Sequence, residues 1–472
     1  MLSLLLHSIV ASAFAFKQAP LVLQNGIRAN EFTTFSTPSI TNYAVHIKQH
    51  STSSGSLDWC ADDVKKATGY FETPQGFFFF ALFDSRSSPQ DDPFILWING
   101  GPGCSSNLGL FMELGPCRVD PGGNSTSFNP YAWNSKANLL FLDQPVGVGF
   151  SYEKPGKKVG DSETAATEVD IFFQLLFFNL PRYAKNPVHL FGESYAGHYI
   201  PAIGRKIFRE NNEAPSKNPN RIHVNLASIG IGNGWVRSLL QYDYFADYLI
   251  DEKYGPFITE EKYKSLKQKF PVCEFLGRQC ERAPSKITCI PANYYCERAF
   301  AFPDEVKRNP YDVRMECDDE VAPCYTIQTD IDVYLNQKWV QELIGVDMEY
   351  VGCSGSVGTA FFYTGDGEFR YDTAVAELLE GDVKVLIYNG DADFVCNYIG
   401  SESWLNAMEW NGQGGYLAAP ERPFIVEENE AGTFKTYGPL TYVKIYEAGH
   451  MVPYDKPVES LDMLTRWISE SF

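Results

Sequence analysis

The sequence predicts an α/β fold in which a mostly parallel central sheet carries helices on both faces and a disulfide-stapled helical insertion forms a lid. Three observations predict it. Short apolar runs bounded by turn residues recur along the chain, the length and composition expected of strands buried on both faces. Helical periods separate those runs, and alternating strand and helix is the pattern of a sheet covered on both sides. Between about residues 236 and 335 the alternation stops, and six of the eleven cysteines crowd into Cys273 to Cys324.

Composition bounds the function before any motif is read. With 44% hydrophobic residues in 472, the chain can bury a large core, which excludes disorder as its main state. Lys and Arg number 39 against 59 Asp and Glu, a formal charge of −20. Phosphate backbones and anionic lipid surfaces are poor partners for such a chain, so no nucleic-acid partner is expected. A strongly acidic chain suits a mildly acidic or extracellular compartment, where protonation relieves its self-repulsion.

Taken in order, Leu2 to Phe16 is a short apolar run with small residues at Ala11, Ala13 and Ala15, as in a cleavable signal peptide over residues 1–15. Residues 16–55 are polar and Ser/Thr-rich, and read as an arm, a propeptide or a loosely docked leader. A hairpin follows, with Tyr70-Phe71 and Phe77 to Phe83 around the Pro74-Gln75-Gly76 turn. Strands are expected at Phe94 to Ile98, Leu139 to Leu142, Val188 to Phe191, Val224 to Ile231, Val383 to Tyr388 and Tyr442 to Tyr446. The clearest helix carries Ala165, Val169, Phe172, Phe173, Leu176 and Leu180 behind an Asp161 or Ser162 cap and ahead of Pro181. Residues 56–235 and 336–472 thus form one catalytic domain split by the lid at 236–335. No later segment approaches the ~18 continuous apolar residues of a membrane span.

None of the eleven cysteines forms C-x-x-C, and H-E-x-x-H is absent, so no metal site or cofactor is expected. Disulfides in an oxidising compartment are the better account, and the odd count leaves at least one thiol unpaired. Asn124-Ser125-Thr126 is a glycosylation sequon. Gly230-x-Gly232-x-Gly234 lacks the spacing of a dinucleotide loop, and no phosphate-binding loop lysine appears.

Gly192-Glu193-Ser194-Tyr195-Ala196-Gly197 is G-x-S-x-G between an expected strand and an expected helix. Small flanking residues there permit a tight turn that lifts a nucleophilic Ser194 above the sheet edge. Pro201 is expected to kink or restart the following helix. Of seven histidines, only His450 follows a late strand in a loop that can reach across the sheet's C-terminal edge. The order Ser, Asp, His then asks for an aspartate between them, and Asn389-Gly390-Asp391-Ala392-Asp393 supplies two candidates.

These motifs together resemble serine carboxypeptidases, the carboxypeptidase Y group in particular. The likeness is carried by Trp97-Ile98-Asn99-Gly100-Gly101-Pro102-Gly103-Cys104-Ser105-Ser106, Leu142-Asp143-Gln144-Pro145, Gly149-Phe150-Ser151-Tyr152, the elbow through Tyr199, Gly390 to Asn397, and Gly449-His450-Met451-Val452-Pro453. It implies an α/β-hydrolase fold and selects Asp393 as the catalytic aspartate, with Asp391 capping or supporting its loop. It also implies an oxyanion hole from the N–H groups of Gly101 and Tyr195, and a substrate-carboxylate site of Asn99, Gly100, Glu113 and Glu193 supported by Trp97. Carboxylic acids can hold a carboxylate only as proton donors, and two adjacent carboxyls share a proton, so peptidase activity below neutral pH is expected.

By the same resemblance Cys396 is the free cysteine of a leaving-residue pocket completed by Met451, apolar enough for hydrophobic C-terminal residues. The family pattern pairs Cys273 with Cys296, Cys280 with Cys289, Cys317 with Cys324 and Cys104 with Cys353. Cys60 and Cys117 depart from that group and are paired as the two that remain. The expected substrates are peptide and protein C-termini, met in the secretory pathway, in a vacuole or lysosome or outside the cell. Two further readings share the scaffold: an acyltransferase or esterase using the same triad, and an inactive homologue acting as a binding partner. Retention of both Glu113 and Glu193 argues against acyl transfer.

Overall fold

A computed structural model describes residues 31–37, 39–50, 58–60, 64–213, 220–317 and 324–472. The expected signal segment lies outside the described residues, as does the end of the polar arm at 51–57.

Seventeen strands run in chain order among the described residues: β1 (Thr33–Thr37), β2 (Ile40–His50), β3 (Lys66–Glu72), β4 (Gly76–Phe83), β5 (Phe94–Ile98), β6 (Cys117–Val119), β7 (Thr126–Phe128), β8 (Asn138–Leu142), β9 (Tyr152–Glu153), β10 (Val188–Glu193), β11 (Leu226–Gly232), β12 (Arg308–Asn309), β13 (Asp312–Glu316), β14 (Lys384–Gly390), β15 (Arg422–Val426), β16 (Asn429–Tyr437) and β17 (Leu440–Ile445). Thirteen form one sheet, ordered β1-β2-β3-β4-β8-β5-β10-β11-β14-β17-β16-β15 with β9 against β4. The six strands from β8 to β17 are mutually parallel. Every residue of β5, β8 and β10 is buried, which is why these strands read as continuous apolar runs. Antiparallel strands close both flanks.

Helices α1 (Ser162–Asn179) and α2 (Ala196–Asn212) pack together over this sheet. Asp161 caps α1 by accepting from the Thr164 N–H at 2.8 Å. Pro201 does not restart α2: the helix is continuous from Ala196 to Asn212 with the proline inside it. Pro201 removes a single amide donor near the helix start, and buried Ile200, Ala202 and Ile203 hold the backbone through it.

The insertion contains α3 (Ser238–Asp243), α4 (Phe245–Ile250), α5 (Glu260–Arg282), α6 (Lys286–Ala299) and the β12–β13 hairpin. Thr259 and Ser285 cap α5 and α6, and two disulfides, Cys273–Cys296 and Cys280–Cys289, staple the pair. Tyr242, Phe245, Leu249, Leu266 and Phe300 form its core around Ala392 and Phe394, so the insertion is seated on the loop after β14. The helix Thr326–Leu335, read from sequence as the insertion's last part, packs elsewhere. Its Ile331, Tyr334 and Leu335 join the cluster of Trp59 and Phe111 on the catalytic body, and the Tyr334 hydroxyl donates to the Trp59 carbonyl at 2.7 Å.

The polar arm also departs from expectation over 33–50, which is paired rather than loosely docked. Strand β2 runs antiparallel to β3 from Ala44 opposite Glu72 to His50 opposite Lys66. Val45 and Ile47 enter the core and Tyr43 stacks on Phe71 at 5.8 Å. Three alternating apolar residues among Thr, Asn, His and Lys carry too short a period to be read as a strand.

Candidate active site

The C-terminal ends of β10, β14 and β17 point to one edge of the sheet, where an open α/β sheet places its ligands. Ser194 follows β10 with φ +63°, a left-handed conformation that costs a non-glycine residue roughly 1–2 kcal/mol. Its backbone is held on all sides: its N–H donates to the carbonyls of Gly232 and Asn233 at 3.0 and 3.1 Å, and its carbonyl accepts from Trp235 and Gly197 at 2.9 Å. The elbow needs Gly192 because a Cβ there meets the Ala196 Cβ at 2.6 Å and the Ile98 carbonyl at 2.4 Å.

His450 and Asp393 are brought together from two loops, with Nδ1 of His450 2.7 Å from Oδ2 of Asp393. Asp393 is fully buried and oriented by donors: Val395 N–H to Oδ1 at 2.9 Å, and Cys396 N–H and the Asn233 side-chain amide to Oδ2 at 3.1 and 2.9 Å. The His450 N–H donates to the Tyr311 carbonyl at 2.7 Å, and its ring meets the Tyr311 ring edge-on. Asp391, the other aspartate of the segment, accepts from the Glu447 N–H and the Tyr254 hydroxyl, both at 2.8 Å, and pairs with Lys253. It therefore fixes the loop that carries His450 instead of facing the imidazole.

Gly100 and Gly101 lie against the elbow. A Cβ on Gly100 meets the Tyr195 nitrogen at 2.3 Å and the Ser194 Cβ at 2.7 Å, so only glycine lets this strand end approach the serine so closely. Gly101 has φ +112°, and together with Ser194 and Tyr195 it lines a cavity of about 710 Å³. That places the backbones of residues 101 and 195 beside the serine, as an oxyanion hole requires.

The residue before the serine belongs to a buried carboxyl pair, Glu193 with Glu113. The Asn99 side-chain amide donates to Oε1 of Glu113 at 3.1 Å and to Oε1 of Glu193 at 3.0 Å. Its Oδ1 accepts from the Trp97 indole at 2.8 Å and the Gly109 N–H at 3.0 Å, which fixes the amide with its donors toward the acids. Burial raises the pKa of Glu113, and burial together with the neighbouring Glu113 carboxyl raises that of Glu193 well above the ordinary range. Oε2 of Glu113 is buried without a hydrogen-bond partner. The pair holds a proton where isolated acids have lost theirs.

Cys396 is unpaired and buried, and lines the same cavity as Ser194. Burial and the charges of Asp393 and Glu193 push its thiol pKa well up, so it stays a neutral, polarizable wall. Its sulfur lies within 4.8 Å of ligating atoms of Asp393 and His450. Both Asp393 oxygens already accept hydrogen bonds and the thiol is held protonated, a poor donor set for a metal ion. Met451 adjoins His450 and is buried. The other disulfides join Cys60 to Cys117, Cys104 to Cys353 and Cys317 to Cys324. Asn124 is exposed in the turn between β6 and β7.

Two residues of the site escaped sequence reasoning. Asn233, with φ +39°, donates to Asp393 and accepts from the Gly390 N–H at 3.0 Å, tying the β11 end to the aspartate loop. Its signal was the Gly-x-Gly-x-Gly run, weighed only as a nucleotide loop. Tyr311 comes from the insertion, and no local pattern announces it.

A family model described as serine carboxypeptidase matches residues 59–470. The chain is 40% identical to the vacuolar serine-type carboxypeptidase ATG42 of Saccharomyces cerevisiae over 446 residues, 93% of this chain and 85% of the relative. It is 40% identical to carboxypeptidase Y of Schizosaccharomyces pombe over 420 residues, 87% of this chain but only 42% of that longer protein. Among solved structures it resembles Kex1(delta)p, a prohormone-processing carboxypeptidase from Saccharomyces cerevisiae, with TM-score 0.72 and 25% identity over 92% of this chain and 93% of that one. A nucleophile elbow, a paired histidine and aspartate and a buried acid pair in this order, with a match across most of the chain, lead to one conclusion: the chain belongs to the serine carboxypeptidase family, hydrolases of the exopeptidase class.

Proposed function

We propose that this protein removes C-terminal residues, preferentially hydrophobic ones, from peptides and proteins through an acyl-enzyme, and does so best at acidic pH. The observation that carries the reading is Asn99 donating to both Glu113 and Glu193, the latter the residue before Ser194. A buried proton-sharing acid pair has one use beside a nucleophile: it binds a free carboxylate as a hydrogen-bond donor, which an endopeptidase or esterase does not need.

In this reading His450 takes the Ser194 hydroxyl proton as the oxygen attacks the scissile carbonyl, and Asp393 stabilises the resulting imidazolium. The N–H groups of Gly101 and Tyr195 receive the developing oxyanion, each worth about 3 kcal/mol in the transition state. The amine leaves with the proton from His450, and water then hydrolyses the ester through the same groups. Cys396 and Met451 form apolar walls for the departing residue. Five disulfides suit an oxidising secretory compartment, and likeness to a vacuolar relative supports a vacuolar destination, with Asn124 as the glycosylated position.

The test is incubation of the purified protein with a peptide mixture and mass spectrometry of the products. Stepwise loss of C-terminal residues is expected, and Ser194→Ala should lose ~10⁴-fold or more in kcat while keeping its melting temperature. Internal cleavage, or undiminished turnover by Ser194→Ala, refutes the reading.

A further inference from the structure

The 710 Å³ cavity is lined by Ser194, Gly101 and Tyr195 but by none of Asn99, Glu113, Glu193, His450 or Met451. Cys396 is the one wall it shares with the leaving-residue pocket; the rest lies away from the carboxylate site, on the acyl side of the serine, where the penultimate residue of a substrate lies. Its walls are largely aromatic, including Trp235, Tyr242, Phe245, Phe300 and Phe361. One carboxylate interrupts them. Glu297 lines the cavity from α6, with Asn293 one helical turn before it on the same face.

Neither the Glu297 nor the Asn293 side chain has a hydrogen bond or ion pair with any described residue, whereas the nearby cations are committed elsewhere. Arg237 pairs with Glu281 and Asp372, Arg370 with Asp372, and Arg298 bonds the Tyr294 hydroxyl. Glu297 is an exposed residue of α6, yet the protein around its carboxyl removes enough hydration to raise its pKa. An acid without a partner in an aromatic-walled pocket is an incomplete ion pair.

Resting on the carboxypeptidase reading, we propose that Glu297 fits this cavity to a penultimate Arg or Lys, whose apolar stem lies on the aromatic walls and whose cationic end is received by Glu297 and Asn293. Long basic side chains suit such a site because they bury their methylenes and keep the charged end at the polar exit. Aromatic faces attract the same cation. A wholly apolar pocket of this size favours norleucine and Phe over Arg, whose charge would lose hydration there without a partner; the carboxylate makes the difference.

The test uses blocked dipeptides with one common C-terminal Leu and penultimate Arg, norleucine, Phe or Glu. In the wild type kcat/KM for Arg should equal or exceed that for norleucine. Glu297→Gln should lower the Arg-to-norleucine ratio about fivefold, the size of a partly exposed ion pair. Glu297→Lys should move preference toward penultimate Glu, a reversal that a structural role for this surface helix position does not produce. A ratio changed by less than about twofold in Glu297→Gln overturns the proposal while cleavage of the Phe and norleucine peptides leaves the carboxypeptidase reading intact. If no dipeptide is cleaved, that reading falls and this one with it.

Discussion

Glu193→Gln separates recognition of a free carboxylate from the chemistry at Ser194. In the wild type the pair made with Glu113 holds one proton, and Asn99 donates to Oε1 of each acid. Losing that proton removes the donor to the substrate and sets a second negative charge against its carboxylate. One proton lost makes log KM for a free peptide rise with slope about 1 per pH unit above the pair's upper pKa. The ceiling follows from Coulomb repulsion: two charges about 4 Å apart at an effective dielectric of 20 differ by ~4 kcal/mol, or roughly a thousandfold. In the variant the new side chain accepts from Asn99 through its amide oxygen and presents its NH₂ to the substrate, so shape and donor survive while the titration disappears. KM should be measured from about pH 5 to 8 for a blocked dipeptide and for the matching C-terminal amide. The wild-type rise should be confined to the free acid and should flatten in Glu193→Gln, with kcat at the acidic optimum changed by less than about tenfold. A flat wild-type profile, or a Gln variant that keeps the full slope, refutes the proton-sharing clamp and leaves recognition to Asn99 and backbone donors.

Asn233→Gly keeps the left-handed backbone but deletes a donor to Asp393, so kcat/KM should fall about ten- to a hundredfold, the value of a hydrogen bond to a charged group. An unchanged melting temperature separates this loss from a folding defect, and undiminished kcat/KM refutes the role. Mercurials should inhibit by occupying Cys396, whose sulfur lines the cavity, and Cys396→Ser should stay active and resistant; inhibition that persists in the variant refutes that location. Stability should fall with rising pH, because burial lifts Glu368 to about 8 and Glu168 to about 7. Both acids bind a proton in the native state that the unfolded chain has lost, so stability is greatest below about pH 4.5 for these groups and declines as pH rises through 7 and 8. Glu368→Gln should flatten that decline in melting temperature, and an unchanged pH dependence refutes the assignment.

Strands buried on both faces write themselves into a sequence because nearly every position along them is apolar, as in Phe94–Ile98, and the one polar ring in Val188–Phe191, His189, is bonded to Ser228. The serine was legible for a related reason: the elbow's close contacts exclude side chains at Gly192 and Gly100, and the missing side chains leave a pattern. Histidine and aspartate were found by their position after late strands, with the choice between Asp391 and Asp393 left to resemblance. What could not be read is long-range. Tyr311 reaches His450 from the insertion, and Asn233 reaches Asp393 across 160 residues of chain, contacts set by how the insertion and neighbouring strands pack rather than by local sequence. The β2 strand was missed because this second strand from the sheet's margin buries only a short central stretch, and its apolar alternation is correspondingly brief. The packing of the Thr326–Leu335 helix on the Trp59 and Phe111 cluster could not be read because that helix has the same amphipathic character whichever body it covers.

The two halves of the proposed reaction set opposite demands on protonation. Peptide attack needs a neutral imidazole, and carboxylate recognition needs a protonated acid. In water an imidazole loses its proton near pH ~6.5 and a glutamic acid near ~4.3, so the two required forms coexist at any pH in only a small fraction of molecules. Burying Glu113 and Glu193 together raises the acid side, because the second charge would stand beside the first in a medium that solvates neither. Asn99 permits this without forcing it, since its two donors stabilise one shared negative charge and leave the remaining proton free to point at substrate. The exopeptidase reading thus explains a feature that is otherwise costly, two glutamic acids sealed from water beside a nucleophile. It also explains why that site needs no cation: an arginine held there binds a carboxylate at every pH, but its charge would stabilise the ionised acid and weaken the developing imidazolium of His450.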